Sequence, residues 1–380
     1  MKILHVSPTF YPAVYWGGPI FSTYGLCNSL AAIPSVELKV LTTDSAGPAL
    51  SQRIRPDSNP VVYPNGYEVY FTRRVWGREI SPAQLIRLPA LVRWADVVHL
   101  TGIYSFPTLP TLMLTRTSRK PLVWSPRGAL QRWQQTNKPG LKRLWEISCN
   151  GLIAPRSTTL HVTSVEEAKA SARRMPKAGV QVIPNGVDIP DCLLGRQWRP
   201  DGMLRLMYLG RLDPKKGIEN LLRALTHQAQ EKLSLNIYGV GDAAYLLTLE
   251  RLIGDLNLNA IVTLRGHLEE IARRAAFAAA DLSLVPSFTE NFGMTVAESL
   301  AHGVPVVASR GTPWSAMAEH GCGWWVENTP EALAGAIREA MSANLELMGS
   351  KGRAWMQTDF GWPSVARSMH DMYRSLIAAG

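Results

Sequence analysis

Cysteine is scarce, and its spacing excludes more than its number does. Cys27, Cys149, Cys192 and Cys322 form no Cys-x-x-Cys pair, which argues against structural zinc and for free, buried thiols in a reducing compartment. Long apolar runs are missing as well. The most apolar region, residues 85–114, is broken by Arg87, Arg93, Asp96 and several prolines, so a membrane span of about 18 residues is not expected. Residues 1–8 hold His5 within a short apolar run and read as a strand, not a secretory signal. There is no nucleophilic Ser or Cys in a recognisable elbow, no Asp/His spacing for a triad, and no histidine spacing for a metal site. No repeat with a period of roughly 20 to 50 residues and no low-complexity tract occurs.

What is present is a chain of 380 residues, long enough for two domains with separate cores. Its 46% hydrophobic and 18% charged residues are the balance of a globular protein. The net charge of +10 is unevenly spread. Residues 1–190 hold 22 Lys and Arg against 10 Asp and Glu, whereas residues 191–380 hold 18 against 20. The first half is therefore expected to face an anionic partner: a membrane surface, a phosphorylated lipid carrier or nucleic acid. Because no nucleic-acid module surrounds the basic residues, no nucleic-acid partner is expected.

Both halves alternate strand and helix patterns. Apolar strand segments fall at residues 3–6, 36–41, 68–72, 97–100, 122–124, 159–162 and 180–183, with a helical pattern over 20–31. A turn cluster at Pro184-Asn185-Gly186-Val187-Asp188 and a polar stretch over 190–202 read as the linker. The alternation restarts with strands at 204–209, 235–238, 261–264, 282–286 and 304–308. Helices are expected at 218–226, 244–256, 269–279, 295–302, 330–341 and 363–379. This pattern predicts an α/β protein with two Rossmann-like, doubly wound domains and ligands in the cleft between them, at the C-terminal ends of the strands.

The densest signal is Ser287-Phe288-Thr289-Glu290-Asn291-Phe292-Gly293-Met294-Thr295-Val296-Ala297-Glu298. A strand precedes it and a helix begins inside it. Glu290 falls on the loop, Glu298 lies one to two turns into the helix, and the N–H groups at Gly293 and Met294 open that helix. Free N–H groups at the positive end of a helix dipole suit a diphosphate, and flanking carboxylates accept hydrogen bonds from sugar hydroxyls. A nucleotide sugar offers both. Gly210-Arg211-Leu212-Asp213-Pro214-Lys215-Lys216-Gly217 also joins a strand to a helix, with Arg211 and Lys216 as a cationic pair able to bind a diphosphate and stabilise a leaving group. Asp-x-Asp is absent, so the cations are expected to be built in, with no cofactor and no required metal. The Gly239-Val240-Gly241 turn lacks the third glycine of a dinucleotide fingerprint.

Fewer signals stand in the first half. Trp16-Gly17-Gly18 follows the first strand, where glycine lets a ligand approach the backbone and Trp16 offers a stacking face or a packing anchor. Residues 124–145 interleave Arg127, Arg132, Lys138, Lys142 and Arg143 with Trp133 and Trp145, a combination suited to lipid headgroups. His99 reads as a structural histidine at a strand end, with Thr101 and Tyr104 following as acceptor contacts.

The Glu290–Glu298 segment and the Gly210–Gly217 turn together resemble the signatures of retaining glycosyltransferases of family 4, which have the GT-B fold. The resemblance covers nearly the whole chain, from Gly17-Gly18 through Pro184–Asp188 to a helix opened at Trp362. It implies an acceptor-binding domain over 1–190, a nucleotide-sugar-binding domain over 191–358, and a C-terminal helix over 359–380 that crosses back to the first domain. It also implies that Glu290, Arg211 and Lys216 serve catalysis. Gly18, Leu268, Asn291, Phe292, Gly293, Met294 and Glu298 would hold the donor, and Trp16, Gly17, Thr101, Tyr104 and Arg127 would lie toward the acceptor. The family often has His where Arg127 falls. Arginine stays protonated, so its part there would be electrostatic. The expected activity is metal-independent transfer of a sugar, with retention, from a nucleoside-diphosphate sugar to a saccharide or lipid-linked saccharide in cell-surface polysaccharide or lipopolysaccharide synthesis. The expected location is cytoplasmic, peripheral on the inner membrane face through the basic first domain. A nucleotide-sugar epimerase of the same fold and a non-catalytic saccharide- or membrane-binding protein are the alternatives.

Overall fold

The computed structural model describes residues 1–77, 79–131, 139–227 and 232–379. The chain divides into two compact units, one formed by Met1–Gly186 with Trp362–Gly380 and the other by Val187–Gly361.

In the first unit the elements run β1 (Lys2–Val6), α1 (Gly18–Ala31), β2 (Glu37–Thr43), β3 (Val61–Val62), β4 (Glu68–Thr72), α2 (Pro82–Trp94), β5 (Val97–Thr101), α3 (Thr108–Thr117), β6 (Leu122–Ser125), α4 (Pro139–Leu152), β7 (Thr158–Val162), α5 (Val165–Arg174) and β8 (Gly179–Val182). They form one sheet in the order β3-β4-β2-β1-β5-β6-β7-β8, parallel except for the β3–β4 pairing. From β1 the chain works outward to one edge through β2 and β4. It then returns to the other side of β1 as β5, which puts the switch point between β1 and β5. Strand residues such as Val97, Val98 and Leu100 are wholly buried, as expected of a parallel sheet covered on both faces.

The second unit repeats the plan with β9 (Leu204–Leu209), α6 (Ile218–Thr226), β10 (Leu233–Tyr238), α7 (Ala243–Asp255), β11 (Val262–Gly266), α8 (Glu270–Ala279), β12 (Leu282–Val285), α9 (Met294–Ala301), β13 (Val306–Ser309), β14 (Gly323–Val326), α10 (Pro330–Ser342) and α11 (Leu345–Trp355). Its sheet order, β11-β10-β9-β12-β13-β14, places the switch point between β9 and β12. α12 (Trp362–Ala379) then belongs to the first unit, where Val365, Met369, Met372 and Tyr373 are buried with Ile3, Leu26, Leu38 and Val40. Trp362 packs against Gly25 and Gly186, where any side chain would collide with the indole. Burying side chains of this size contributes about 1.5–3 kcal/mol each.

One reading of the sequence needs correction, the burial of all four cysteines. The polar stretch over 190–202 is fastened to the second unit by its arginines. Arg196 donates to the carbonyls of Phe277, Ala278, His302 and Gly303, and Arg199 to those of Met341 and Ala343. These carbonyls end α8, α9 and α10, where each helix leaves acceptors unsatisfied and its dipole favours a cation. Of the cysteines, Cys27, Cys149 and Cys322 are free and buried, but Cys192 is exposed on that stretch.

Candidate functional site

The two motif-bearing loops of the second unit leave β9 and β12, which are neighbours at the switch point. Parallel pairing puts both loops at the same end of the sheet, and specific bonds then join them. The Phe288 N–H donates to the Lys215 carbonyl at 2.8 Å, and Thr295 Oγ1 donates to the Leu209 carbonyl at 3.1 Å. Gly217, at φ +66°, lies so close to the Pro286 carbonyl that a Cβ would overlap it. A left-handed, side-chain-free residue is what lets the cationic turn lie against the carboxylate loop.

Lys216 and Glu290 come together in that contact. The ammonium donates to Glu290 Oε1, which also accepts from Ser287 Oγ at 2.8 Å, and both charged side chains are largely buried, at 15% and 17% exposure. An ammonium has three donors, so a diphosphate oxygen can be added without releasing the carboxylate. Arg211 is exposed at the head of the same turn, with its carbonyl held by the Tyr208 hydroxyl at 2.9 Å. Burial pushes the Lys215 ammonium below its ordinary value, with the Arg211 charge next in effect. The turn is therefore a concentration of positive charge.

α9 starts beside it. Gly293 is its N-cap at φ +80°, and no side chain among the described residues caps the helix, so its first N–H groups are available to an anion. Phe292 is buried against Trp314 at a ring distance of 5.2 Å, and Trp314 Nε1 donates to the Phe292 carbonyl at 2.5 Å. Asn291 and Met294 flank this anchored step and stay partly exposed. Glu298 lies four residues along α9 and pairs with Arg273 of α8 at 3.5 Å. Leu268 occupies the short step between β11 and α8. Arg273 and Trp314 carried no sequence signal, because each supports the site from a helix or loop outside the motif that it serves. Gly239 and Gly241 abut the carbonyls of Gly210 and Leu212, so their glycine is a packing requirement of the cationic turn.

The first unit brings other candidates to its own switch point. Gly17 caps α1 at φ +74°, and the positions a Cβ would take at Gly17 and Gly18 are open. Trp16 is half-buried, edge-on to Tyr15 at 5.2 Å. Thr101 faces inward, with Oγ1 2.9 Å from His5 Nε2. The Tyr104 hydroxyl donates to Glu146, and Lys142 stands 5.1 Å over its ring, so this tyrosine anchors α4. Arg132, Trp133 and Lys138 lie outside the described residues.

Beneath these loops runs a buried polar chain. His99 Nδ1 meets the Tyr373 hydroxyl and its Nε2 meets Ser125 Oγ, each at 2.6 Å; Ser125 Oγ meets His161 Nδ1 at 2.7 Å; His161 Nε2 meets the Ile183 carbonyl at 3.0 Å. A carbonyl only accepts, so His161 carries its proton on Nε2 and the order of donors follows. Ser125 donates to His161, His99 donates to Ser125, and Tyr373 donates to His99. Every member is neutral. Burial first, and then neighbouring positive charge, lowers His5 and His161 to about 3 and His99 well below its ordinary value. Arg127 stands over this chain and donates from Nη1 to Asn185 Oδ1 at 2.6 Å.

Among the described residues, no three His, Cys, Asp or Glu side chains group to hold a metal ion, and no helix is long and apolar enough to cross a membrane.

Two family models match the chain: Glycosyltransferase Family 4 over residues 16–190 and Glycosyl transferases group 1 over residues 197–355. A curated relative from Mycobacterium tuberculosis, a GDP-mannose-dependent alpha-(1-6)-phosphatidylinositol monomannoside mannosyltransferase, is 28% identical over 57% of this chain and 62% of its own length. The chain thus spans about three fifths of that relative. Among solved structures, sucrose-phosphate synthase from Thermosynechococcus elongatus aligns with a TM-score of 0.74 at 20% identity, covering 100% of both chains. Anabaena HepE in complex with UDP-glucose aligns with a TM-score of 0.71 at 18% identity, covering 99% of this chain and 100% of its own. These two likenesses establish the fold.

Proposed function

Because the chain belongs to glycosyltransferase family 4 and has the GT-B fold, we propose that it transfers a sugar, with retention, from a nucleoside-diphosphate sugar to a saccharide or lipid-linked saccharide. The observation that carries this reading is the contact of the Gly210–Gly217 turn with the loop that opens α9. There a buried ammonium, a carboxylate and an uncapped helix start adjoin one another. Arg211, Lys216 and the N–H groups at Gly293 and Met294 take the diphosphate and stabilise it as it departs. Glu298 accepts from the ribose hydroxyls, exchanging part of its bond to Arg273 for them. Glu290, held by Lys216 and Ser287, orients the donor sugar together with Asn291 and Phe292. From the second unit Leu268 adds a donor contact; in the first unit Trp16, Gly17 and Gly18 offer an open backbone to the substrates, and Thr101 and Tyr104, bonded to His5 and Glu146, support that side from within. Positive side chains supply the charge compensation, so we infer no metal requirement. The GDP-mannose dependence of the mycobacterial relative and the UDP-glucose bound by HepE support the substrate class.

The acceptor side fits a membrane surface and, with it, polysaccharide or lipopolysaccharide synthesis at the inner membrane face. α4 presents Leu141, Leu144 and Ile147 to solvent at 62%, 61% and 60% exposure, with Lys142 and Arg143 among them. Spacings of three residues put these apolar side chains on one face, as in helices that lie in a lipid interface. The phosphatidylinositol-linked acceptor of the mycobacterial relative agrees with this placement.

The test is turnover of a panel of UDP-, GDP- and dTDP-sugars by the wild type, Arg211→Ala and Glu298→Ala, with the anomeric configuration of the product read by NMR. Transfer with retention by the wild type, its loss in Arg211→Ala and a weakening of roughly tenfold or more in Glu298→Ala are expected. Normal binding and turnover in both variants would refute the assignment, and release of an altered free sugar without acceptor would make the protein an epimerase.

A further inference from the structure

Arg127 opens the turn after β6 in the left-handed region, at φ 54°, which side-chain-bearing residues seldom occupy. The turn is held there from below. The Gly128 N–H donates to Glu167 Oε1, while Glu167 Oε2 accepts from the Thr163 N–H at 2.8 Å and the Thr163 hydroxyl at 2.9 Å. The nearby carboxylate is thus engaged by three donors that belong to the scaffold. Arg127 itself uses only Nη1, on Asn185. Its Nε and Nη2 are buried and, among the described residues, have no hydrogen-bond partner.

Nε–H and one Nη2–H form a single edge of the guanidinium, two parallel donors spaced for the two oxygens of a carboxylate or phosphate. Among the described residues, nothing in the surrounding core answers that edge. His99, Ser125 and His161 are consumed by their own chain of bonds, and His5 lies between Thr101 and Cys27. Burial keeps the Cys27 thiol and the Tyr373 phenol protonated, so neither supplies an anion. A permanent cation with two idle donors is unfavourable for the free protein, and an arriving anion relieves it. The residue is only half-buried as a whole.

Resting on the sugar-transfer reading above, we propose that Arg127, steadied by Asn185, receives the anionic group of a reacting saccharide, a carboxylate or a phosphate ester, and so selects an acidic sugar over its neutral counterpart. The anion can enter on the donor or on the acceptor, and the shared chemistry is the same. Arg127 is then a specificity residue, and a histidine at that position, which is neutral when buried, would not impose the same selection.

Calorimetry on the full chain separates the two sources. The donor arm compares UDP-glucuronate with UDP-glucose. The acceptor arm compares methyl glucuronide with methyl glucoside, and glucose 6-phosphate with glucose, each with and without UDP. In at least one arm the acidic member should bind at least about tenfold more tightly, and Arg127→Gln should remove that preference while UDP binding persists. Arg127→Lys keeps the charge without the two-pronged edge and should retain only part of the preference; it also serves if the Gln variant does not fold. Equal or absent binding of the acidic members in both arms, or an unchanged preference in Arg127→Gln, overturns the proposal. Failure of the wild type to bind UDP counts instead against the transfer reading, because the acceptor comparison without UDP is still made.

Discussion

The two units share a plan, a parallel sheet with a switch point between its first and fourth β/α steps, yet they handle charge in opposite ways. In the second unit the charges of the candidate site are paired at the switch point, Lys216 with Glu290 and Arg273 with Glu298. The first unit has a buried cation over three neutral histidines at the same place, with Arg127 bonded to an amide and not to a carboxylate. Paired charges can exchange partners for a ligand at little cost, so the second unit is suited to binding and releasing a nucleotide. A buried, under-bonded cation discriminates more than it exchanges, because any neutral group in its place leaves donors unmet.

The largest expected effect lies mainly in the first unit, with a smaller share from His302 of the second, which burial also lowers. In the unfolded chain His5, His99 and His161 titrate near their ordinary value of about 6.5, whereas in the fold all three stay neutral to much lower pH. Their folded values are depressed, so their contribution is intact above about pH 6.5 and is lost as pH falls toward 3. Urea unfolding between pH 7 and pH 5 should show stability falling by about 1.4 kcal/mol per pH unit for each histidine that protonates only in the unfolded state. A flat or rising profile breaks the contrast between the units.

Next in size is Lys216→Ala, which removes the ammonium from the second unit's pair. Transition-state stabilisation should fall by about 3 kcal/mol, a drop of roughly a hundredfold in kcat/KM for the nucleotide sugar. Glu298→Ala should be milder. Loss of a charged acceptor for ribose hydroxyls costs about 1.5–3 kcal/mol, read as roughly a tenfold or larger weakening of nucleotide binding with the fold intact. Smallest for stability is Leu144→Ser on α4, within about 0.5 kcal/mol because the side chain is already in water. The same change should visibly reduce cosedimentation with vesicles containing anionic lipid. Unaltered cosedimentation would remove α4 from the membrane-facing surface.

The difference between the units also decided what could be read from the sequence. In the second unit, strand 204–209 and helix 218–226 fall where the periodicity put them, because each motif is a contiguous strand–loop–helix step with its punctuation intact. Glu290, Gly293 and Glu298 sit on that local frame. The partners Arg273 and Trp314 did not emerge, since they meet the motif only through packing of α8 and of the loop after β13. In the first unit the residues that matter converge from five separated segments: His5, His99, Ser125, His161 and Tyr373. No spacing along the chain announces such a cluster, and His99 alone read as structural. α2 carries Pro89 in its interior and α4 follows a basic, aromatic stretch, so neither gave a clean helical signal.

The central claim is that the cationic turn and the uncapped start of α9 hold a pyrophosphate between them. Titration calorimetry of UDP and GDP into the wild type and into the double variant Arg211→Ala/Lys216→Ala tests it most directly. The account predicts measurable binding of at least one nucleotide by the wild type and its loss in the double variant, which still unfolds in one cooperative transition in the absence of nucleotide. Nucleotide affinity that survives removal of both cations would contradict it.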